Sequence, residues 1–318
     1  PMKILQPTSI TLDHERLGLE PGDTVRLYDP ATPIAEEDTD ADVFIAWANT
    51  TEQLADSAAR LKNVGLVQAL LAGPDAARAA GFRPEAAICA GVGLHSKTVA
   101  EHALALTLNL VRFLPTLAVE QGKRRWAGEL GGAQELHPEN QVTTLLDTNV
   151  MVWGFGSIGQ EIARLLKAFG AKVTGVARSA GERAGFPVIA TESVDEYLPS
   201  TDVLIMVLPT SDETFHAMDE RRLALLPPRA YLVNVGRGTT IDEPALIKAL
   251  KEGKLAGAAV DVAHNEPLPA EDPLWDAPNL VITPHAAGGR PVDPESLIAH
   301  NIAALRAGAP AEEYRNRF

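Results

Sequence analysis

Three short stretches in the second half of the chain carry residue types suited to carbonyl chemistry. In Val233-Asn234-Val235-Gly236-Arg237-Gly238 an arginine stands between two glycines. Small neighbours let its guanidinium approach closely enough to fork onto a carboxylate and a carbonyl oxygen, although an arginine in that setting also suits a plain surface turn. Asp261-Val262-Ala263-His264-Asn265-Glu266-Pro267 and Thr283-Pro284-His285-Ala286-Ala287-Gly288 add histidines and carboxylates. Reducing a keto acid by hydride requires a proton donor at the carbonyl oxygen. Histidine suits that task because its ordinary pKa lies near neutrality. A carboxylate on the other ring nitrogen would orient the imidazole and favour its charged form. Glu266 and His285 can form such a pair, while His264, His95, His102 and His137 compete with His285 by residue type alone.

A hydride needs a carrier, and Val150-Met151-Val152-Trp153-Gly154-Phe155-Gly156-Ser157-Ile158-Gly159 supplies the pattern for one. An apolar strand-like run meets G-x-G-x-x-G, and a helix follows with Ile158, Ile162, Leu165, Leu166 and Phe169 on one face. In such a unit Gly154 allows the tight turn, Gly156 lets backbone approach a pyrophosphate, and Gly159 lets helix pack on strand. The helix N-terminus would then face the phosphates. A second strand is expected over 172–177. An NAD-specific unit usually ends that strand in an acidic residue for the ribose 2′-hydroxyl. Here it ends Ala177-Arg178-Ser179, with Arg183 beyond and Glu182 too far along the loop to serve. A cation with hydroxyl donors suits a 2′-phosphate, so the expectation is NADP, with NAD as the alternative.

These motifs need a scaffold, and the 318 residues suffice for two domains. Apolar runs at 3–6, 24–28, 43–47, 64–70 and 87–90 alternate with helix-like pieces at 51–61 and 75–80, which predicts a small parallel α/β layer. A long helix should follow. Thr98-Val99-Ala100-Glu101 reads as a capping box, and apolar residues continue at helical spacing to Pro115. That helix is apolar on more than one face, so it should be buried between domains or at a subunit contact. Segment 116–148 reads as polar and irregular, with Trp126 as an anchor. The βα rhythm then returns: strands at 203–208, 231–235, 258–262 and 280–282, helices at 220–226, 242–252 and 295–306.

Composition narrows the partners. A net charge of −14 disfavours nucleic acid and anionic membranes, and no metal is expected. No apolar segment approaches the ~18 residues of a membrane span. The N-terminal residues look like a first strand rather than a signal peptide, so a cytoplasmic protein is expected. Cys89, the one cysteine, lies in an apolar run and reads as a small core residue.

Taken together, these motifs resemble the D-isomer-specific 2-hydroxyacid dehydrogenase family over nearly the whole chain. The likeness rests on Ala100-Glu101-His102-Ala103-Leu104-Ala105-Leu106, the glycine motif at 154–159, Asn234 to Gly238, Asp261-Val262 with Glu266-Pro267, and Thr283 to Gly288. It implies two Rossmann-like or flavodoxin-like parallel-sheet α/β domains with a cleft between them. One would be a substrate domain of residues 1–94 and 287–318, the other a dinucleotide domain of residues 95–286. Nothing in the sequence remains for a further regulatory domain. The resemblance implies that Arg237 binds and polarises a 2-keto acid, that His285 exchanges the proton, and that Glu266 orients His285. It places Gly154, Phe155, Gly156, Ser157, Ile158, Gly159, Arg178 and Ser179 on the cofactor. Leu208, Pro209, Thr210, Val235, Gly236, Asp261 and Ala287 would lie near its nicotinamide end, although Asp261 also reads as a residue capping a strand end.

The family's loop for the substrate carboxylate corresponds to Leu70-Leu71-Ala72-Gly73-Pro74-Asp75. Pro74 supplies no N–H, which leaves Ala72 and Gly73 as donors. The interdomain crossing, Val92 to Lys97, also departs from the family's usual Asn-containing sequence. Trp47 would select an apolar or aromatic substituent, or lie in the core. The expected activity is reduction of a glyoxylate- or hydroxypyruvate-type 2-keto acid by a homodimer. The alternative is a non-catalytic dinucleotide-sensing scaffold like the family's co-repressor relatives.

Overall fold

The computed structural model describes residues 1–318. The backbone divides into two compact units, Pro1–His95 with Gly289–Phe318, and Ser96–Gly288.

The first unit contains β1 (Lys3–Pro7), β2 (Thr24–Tyr28), β3 (Val43–Ala46), α1 (Thr51–Arg60), β4 (Leu66–Ala69), α2 (Asp75–Ala79) and β5 (Ala87–Cys89), and the C-terminal helix Pro294–Ala307 packs with them. All five strands are parallel, in the order β2-β1-β3-β4-β5, the flavodoxin-like order. Strands β3 and β4 are buried throughout because helices cover both faces. Helix α1 begins where the Thr50 hydroxyl accepts the Gln53 N–H. Cys89 is fully buried in this core, and burial pushes its thiol up to about 12 despite the nearby Arg317 cation.

The second unit opens with α3 (Ser96–Val111) and α4 (Leu114–Gly122). Two expectations fail here. Thr98 is not an N-cap, because the helix starts two residues earlier and contains it. Segment 116–148 is not uniformly irregular, because Phe113 turns into the left-handed region and Pro115 then sits in the first turn of a new helix. On its inner side α3 buries Val99, Ala103, Leu106 and Leu110 against its own unit, on α5 (Ser157–Ala168) and two of its strands. Trp126 anchors nothing in the chain and is 95% exposed.

Then come β6 (Asn149–Trp153), the helix α5, β7 (Lys172–Ala177), β8 (Gly181–Arg183), β9 (Phe186–Ala190), α6 (Val194–Tyr197), β10 (Val203–Met206), α7 (Glu220–Leu223), β11 (Tyr231–Asn234), α8 (Glu243–Lys251), β12 (Gly257–Val260) and β13 (Leu280–Ile282). The sheet runs β13-β12-β11-β10-β6-β7-β9-β8, parallel except for β8. From β6 the order grows outward in both directions, the doubly wound Rossmann arrangement. Its switch point lies between β6 and β10, where open α/β sheets bind ligands at the carboxyl ends of strands. Helix α5 seats Ile162, Ala163 and Leu166 in the core as the periodicity predicts, while Phe169 at its C-cap is exposed. The short β8–β9 pair, read from sequence as loop, forms because Ala184 and Gly185 both take positive φ and reverse the chain.

Buried and held protonated, Cys89 should not react with a thiol reagent at neutral pH in the native protein. One thiol should appear on addition of denaturant, measured by absorbance after disulfide exchange.

Candidate active site

Five of the predicted stretches lie just beyond the carboxyl ends of strands in the second unit. Gly154 follows β6, Leu208 to Thr210 follow β10, Val235 to Gly238 follow β11, Asp261 follows β12 and Thr283 follows β13.

Gly154 has φ +104°, and a Cβ there would sit 2.5 Å from the Val207 carbonyl oxygen, so the turn excludes any side chain. Gly156 is the N-cap of α5 and has nothing within 4 Å of where a Cβ would be. No side chain caps this helix, which leaves open space in front of its first N–H groups. The Phe155 side chain faces the core and meets Phe186 edge-on, so only its backbone is available at the turn. Beyond β7, Arg178 and Ser179 are exposed, and Arg183 donates to the Ser179 hydroxyl at 3.1 Å. Glu182 alternates with Arg183 along β8 and so points to the other face. An open turn at a helix N-terminus fits the pyrophosphate of a dinucleotide.

The Arg237 turn is fastened from below. Asn234, buried at the end of β11, accepts the Gly236 N–H at 3.0 Å and donates to the Arg237 carbonyl at 3.0 Å. The flanking glycines have a different cause from the one expected, an approach to ligand. A Cβ on Gly238 would lie 2.0 Å from the Ala263 carbonyl carbon, and one on Gly236 would lie 2.7 Å from backbone atoms of Leu208. The turn is pressed between two neighbouring strand ends, and the Arg237 side chain points away from them. Its guanidinium bonds only its own chain, at the Gly236 carbonyl, and no carboxylate pairs with it.

His285 and Glu266 do meet. The His285 Nδ1 lies 2.6 Å from Glu266 Oε2, and the other Glu266 oxygen accepts the Ala263 N–H at 2.9 Å. Burial alone would raise the Glu266 carboxyl. The His285 hydrogen bond, the Ala263 amide and the charges of His285 and Arg237 outweigh it and hold the group below its ordinary value. With Nδ1 engaged, the ring presents Nε2, and the side chain is 48% exposed. His285 has φ +51°, held by its N–H on the Asp261 and Thr283 carbonyls. An ionised carboxylate on one nitrogen and an accessible second nitrogen make an acid–base group with a fixed tautomer. A hollow of about 620 Å³ opens beside the pair, lined by Val262, Pro267, Leu268, Trp275, Ile282 and Pro284.

The rival histidines separate by position. His264 packs edge-on to Phe215, and its backbone N–H is held by Glu243. His102 bonds Thr283, and His95 belongs to the first unit. Asp261 is 1% exposed, with Oδ1 accepting from Thr283 and the Ala286 N–H and Oδ2 accepting the Ala287 N–H. It caps the strand end and ties down the loop of His285. Leu208, Val235 and Ala287 are buried, whereas Pro209 and Thr210 are exposed, with Thr210 3.3 Å from Thr239.

The N–H of residue 70 and the carbonyls of residues 70 and 71 are bonded within the first unit. Leu70 donates to Ala46, Gly91 donates to the Leu71 carbonyl, and His95 Nε2 holds the Leu70 carbonyl at 2.7 Å. No acceptor of the chain takes the N–H of Ala72 or Gly73. Trp47 stacks on His95 with ring centroids 5.6 Å apart. In the sequence His95 stands only as a rival proton donor and as part of the Val92 to Lys97 crossing. Its grip on this loop depends on a fold contact 25 residues back and leaves no local signature.

A family model, the NAD binding domain of the D-isomer specific 2-hydroxyacid dehydrogenases, matches residues 104–287, more than half of the chain. The chain belongs to this family. It is 33% identical to glyoxylate/hydroxypyruvate reductase A of Serratia proteamaculans over 293 residues, 89% of this chain and 87% of the relative. Among solved structures, a D-isomer specific 2-hydroxyacid dehydrogenase family protein from Aeromonas salmonicida superposes with TM-score 0.82 at 31% identity, covering 99% of this chain and 98% of that one. A D-isomer specific 2-hydroxyacid dehydrogenase from Xanthobacter autotrophicus, solved with NADPH, gives 0.75 at 28%, with the same coverage. As a member of this dehydrogenase family the chain is an oxidoreductase using a nicotinamide dinucleotide.

Gly238→Ala should lower unfolding stability by about 1–3 kcal/mol in a denaturant titration, because backbone rather than a flexible side chain opposes the added methyl.

Proposed function

We propose that the protein reduces a small 2-keto acid to the D-2-hydroxy acid with NADPH, in the manner of a glyoxylate/hydroxypyruvate reductase. The observation that carries this reading is the His285–Glu266 pair at 2.6 Å, with the unpaired Arg237 on the adjoining strand end. The bound dinucleotide would supply the hydride. Arg237 forks onto the substrate carboxylate and carbonyl oxygen and polarises the carbonyl. Protonated His285 gives its Nε2 proton to that oxygen, and Glu266 keeps the ring oriented. In the reverse direction neutral His285 takes the proton back.

The glycine turn from Gly154 to Gly159 and the helix start at Ser157 and Ile158 hold the pyrophosphate. Leu208, Pro209, Thr210, Val235, Gly236 and Ala287 line the nicotinamide end. Asp261 acts there by holding the loop. Arg178 and Ser179 take the 2′-phosphate, supported by their exposure and by the absence of an acid at the strand tip. The unclaimed N–H groups of Ala72 and Gly73 suit a carboxylate, and the Trp47 ring suits an apolar substituent. The hollow beside His285 leaves room for a side chain larger than that of glyoxylate. The likeness to the Serratia reductase supports glyoxylate and hydroxypyruvate as first candidates. We further propose a cytoplasmic homodimer. No single helix is long and apolar enough to cross a membrane, and Leu114, Val119, Trp126 and Leu136 are exposed apolar side chains that a second copy would cover.

His285→Ala should cut turnover by about 10²–10⁴-fold while leaving dinucleotide affinity unchanged, measured by steady-state rates and fluorescence titration. Reduction should fall and oxidation gain as pH rises through neutrality, because reduction consumes a proton delivered by His285 and oxidation returns one. Glu266 is held below its ordinary value, so it stays anionic across that window. Flat profiles in both directions, with a solvent isotope effect showing that chemistry limits the rate, would remove His285 from the proton step.

A further inference from the structure

We infer that His102, on helix α3, is a positioning residue for His285, acting through Thr283 and the buried Asp261 carboxylate. This rests on the reading of His285 as the proton-transfer residue. His102 Nε2 lies 3.0 Å from Thr283 Oγ1 and 3.3 Å from Asp261 Oδ1. The Thr283 hydroxyl has one proton, and it goes to Asp261 Oδ1 at 2.5 Å. Towards His102 that hydroxyl can only accept, so Nε2 carries the hydrogen and shares it between hydroxyl and carboxylate.

Asp261 has no exposed side-chain surface, and an unsatisfied buried carboxylate is costly. Thr283, Ala286 and Ala287 all donate to it from the segment that contains His285. His102 alone reaches it from a different element. The Asp261 main chain also accepts the His285 N–H at 2.8 Å, which helps to hold His285 in the left-handed region. Helix α3 is packed along its length against the core of its own unit, so it is a fixed post. His102 ties the loop to that post. Without the tie, Asp261 and Thr283 lose their donor from outside the loop, and the ring of His285 loses its aim at Glu266.

The test compares His102→Leu with His102→Gln, whose amide retains a donor of similar reach. In the Leu variant kcat should fall about 10–100-fold with the KM for keto acid within a few fold of wild type, the size expected for a small misplacement of a reacting group. In the dinucleotide-free protein, nitrogen-15 NMR of the His285 ring should show loss of the single Nδ1–H tautomer that the Glu266 bond imposes. Gln should restore both readouts. Should the Leu variant fail to fold, His102→Met replaces it, an unbranched side chain of similar reach without a donor. An unchanged ring signal in the donor-less variant, or Gln failing as badly as Leu, overturns the inference. A changed ring signal with unchanged kcat leaves the positioning role standing and overturns instead the assignment of His285 to proton transfer.

Discussion

The His285–Glu266 hydrogen bond exists because two neighbouring parallel strands end at the same level. In the β12–β13 register Val260 faces Ile282, so the chain leaves both strands side by side and the next residues enter one loop layer. Asp261, first beyond β12, then holds the first residues beyond β13 through its carboxylate and its main chain. Glu266 is brought back by its bond to the Ala263 N–H. The His285–Glu266 pair thus rests on backbone register and one buried carboxylate rather than on side-chain packing. Arg237 follows the same logic one strand over, with Asn234 clamping its turn and Gly238 admitting the Ala263 backbone.

Electrostatics fit this arrangement. The chain is strongly acidic, yet the exposed cations at the sheet's carboxyl edge, Arg237 and Arg178, have no carboxylate partner. Elsewhere most arginines are engaged, as Arg222 and Arg221 are by Asp195. Free guanidinium groups where anionic ligands would arrive are a local field set against the global one. Of the carboxylates at that edge, Glu266 is committed to His285 and Asp261 is buried within its own loop contacts.

Much of this was legible in the sequence because the signals were local. The glycine turn, the arginine between glycines and the Thr-Pro-His segment each follow an apolar run, and the structure places each at a strand end. Strand positions agreed to within one or two residues at most ends. What failed was decided by tertiary context. The start of α3 follows from the chain entering at Ser96, which no capping pattern at Thr98 reveals. The break at Phe113 depends on a left-handed residue that its type does not announce. The β8–β9 pair is too short to show a period. The grip of His95 on the Leu70 carbonyl and of His102 on Thr283, 181 residues away, cannot be read from spacing at all.

The most direct test of the account is the initial rate of reduction of glyoxylate, hydroxypyruvate, pyruvate and phenylpyruvate, each with NADPH and with NADH. The account predicts turnover with at least one of these acids and a preference for NADPH, with the best substrate reporting the room beside His285. Turnover preferring NADH would contradict the assignment of Arg178 to a 2′-phosphate and leave the acid–base site intact. Binding of dinucleotide with no turnover of any acid would contradict the central claim and point to the family's sensing scaffolds.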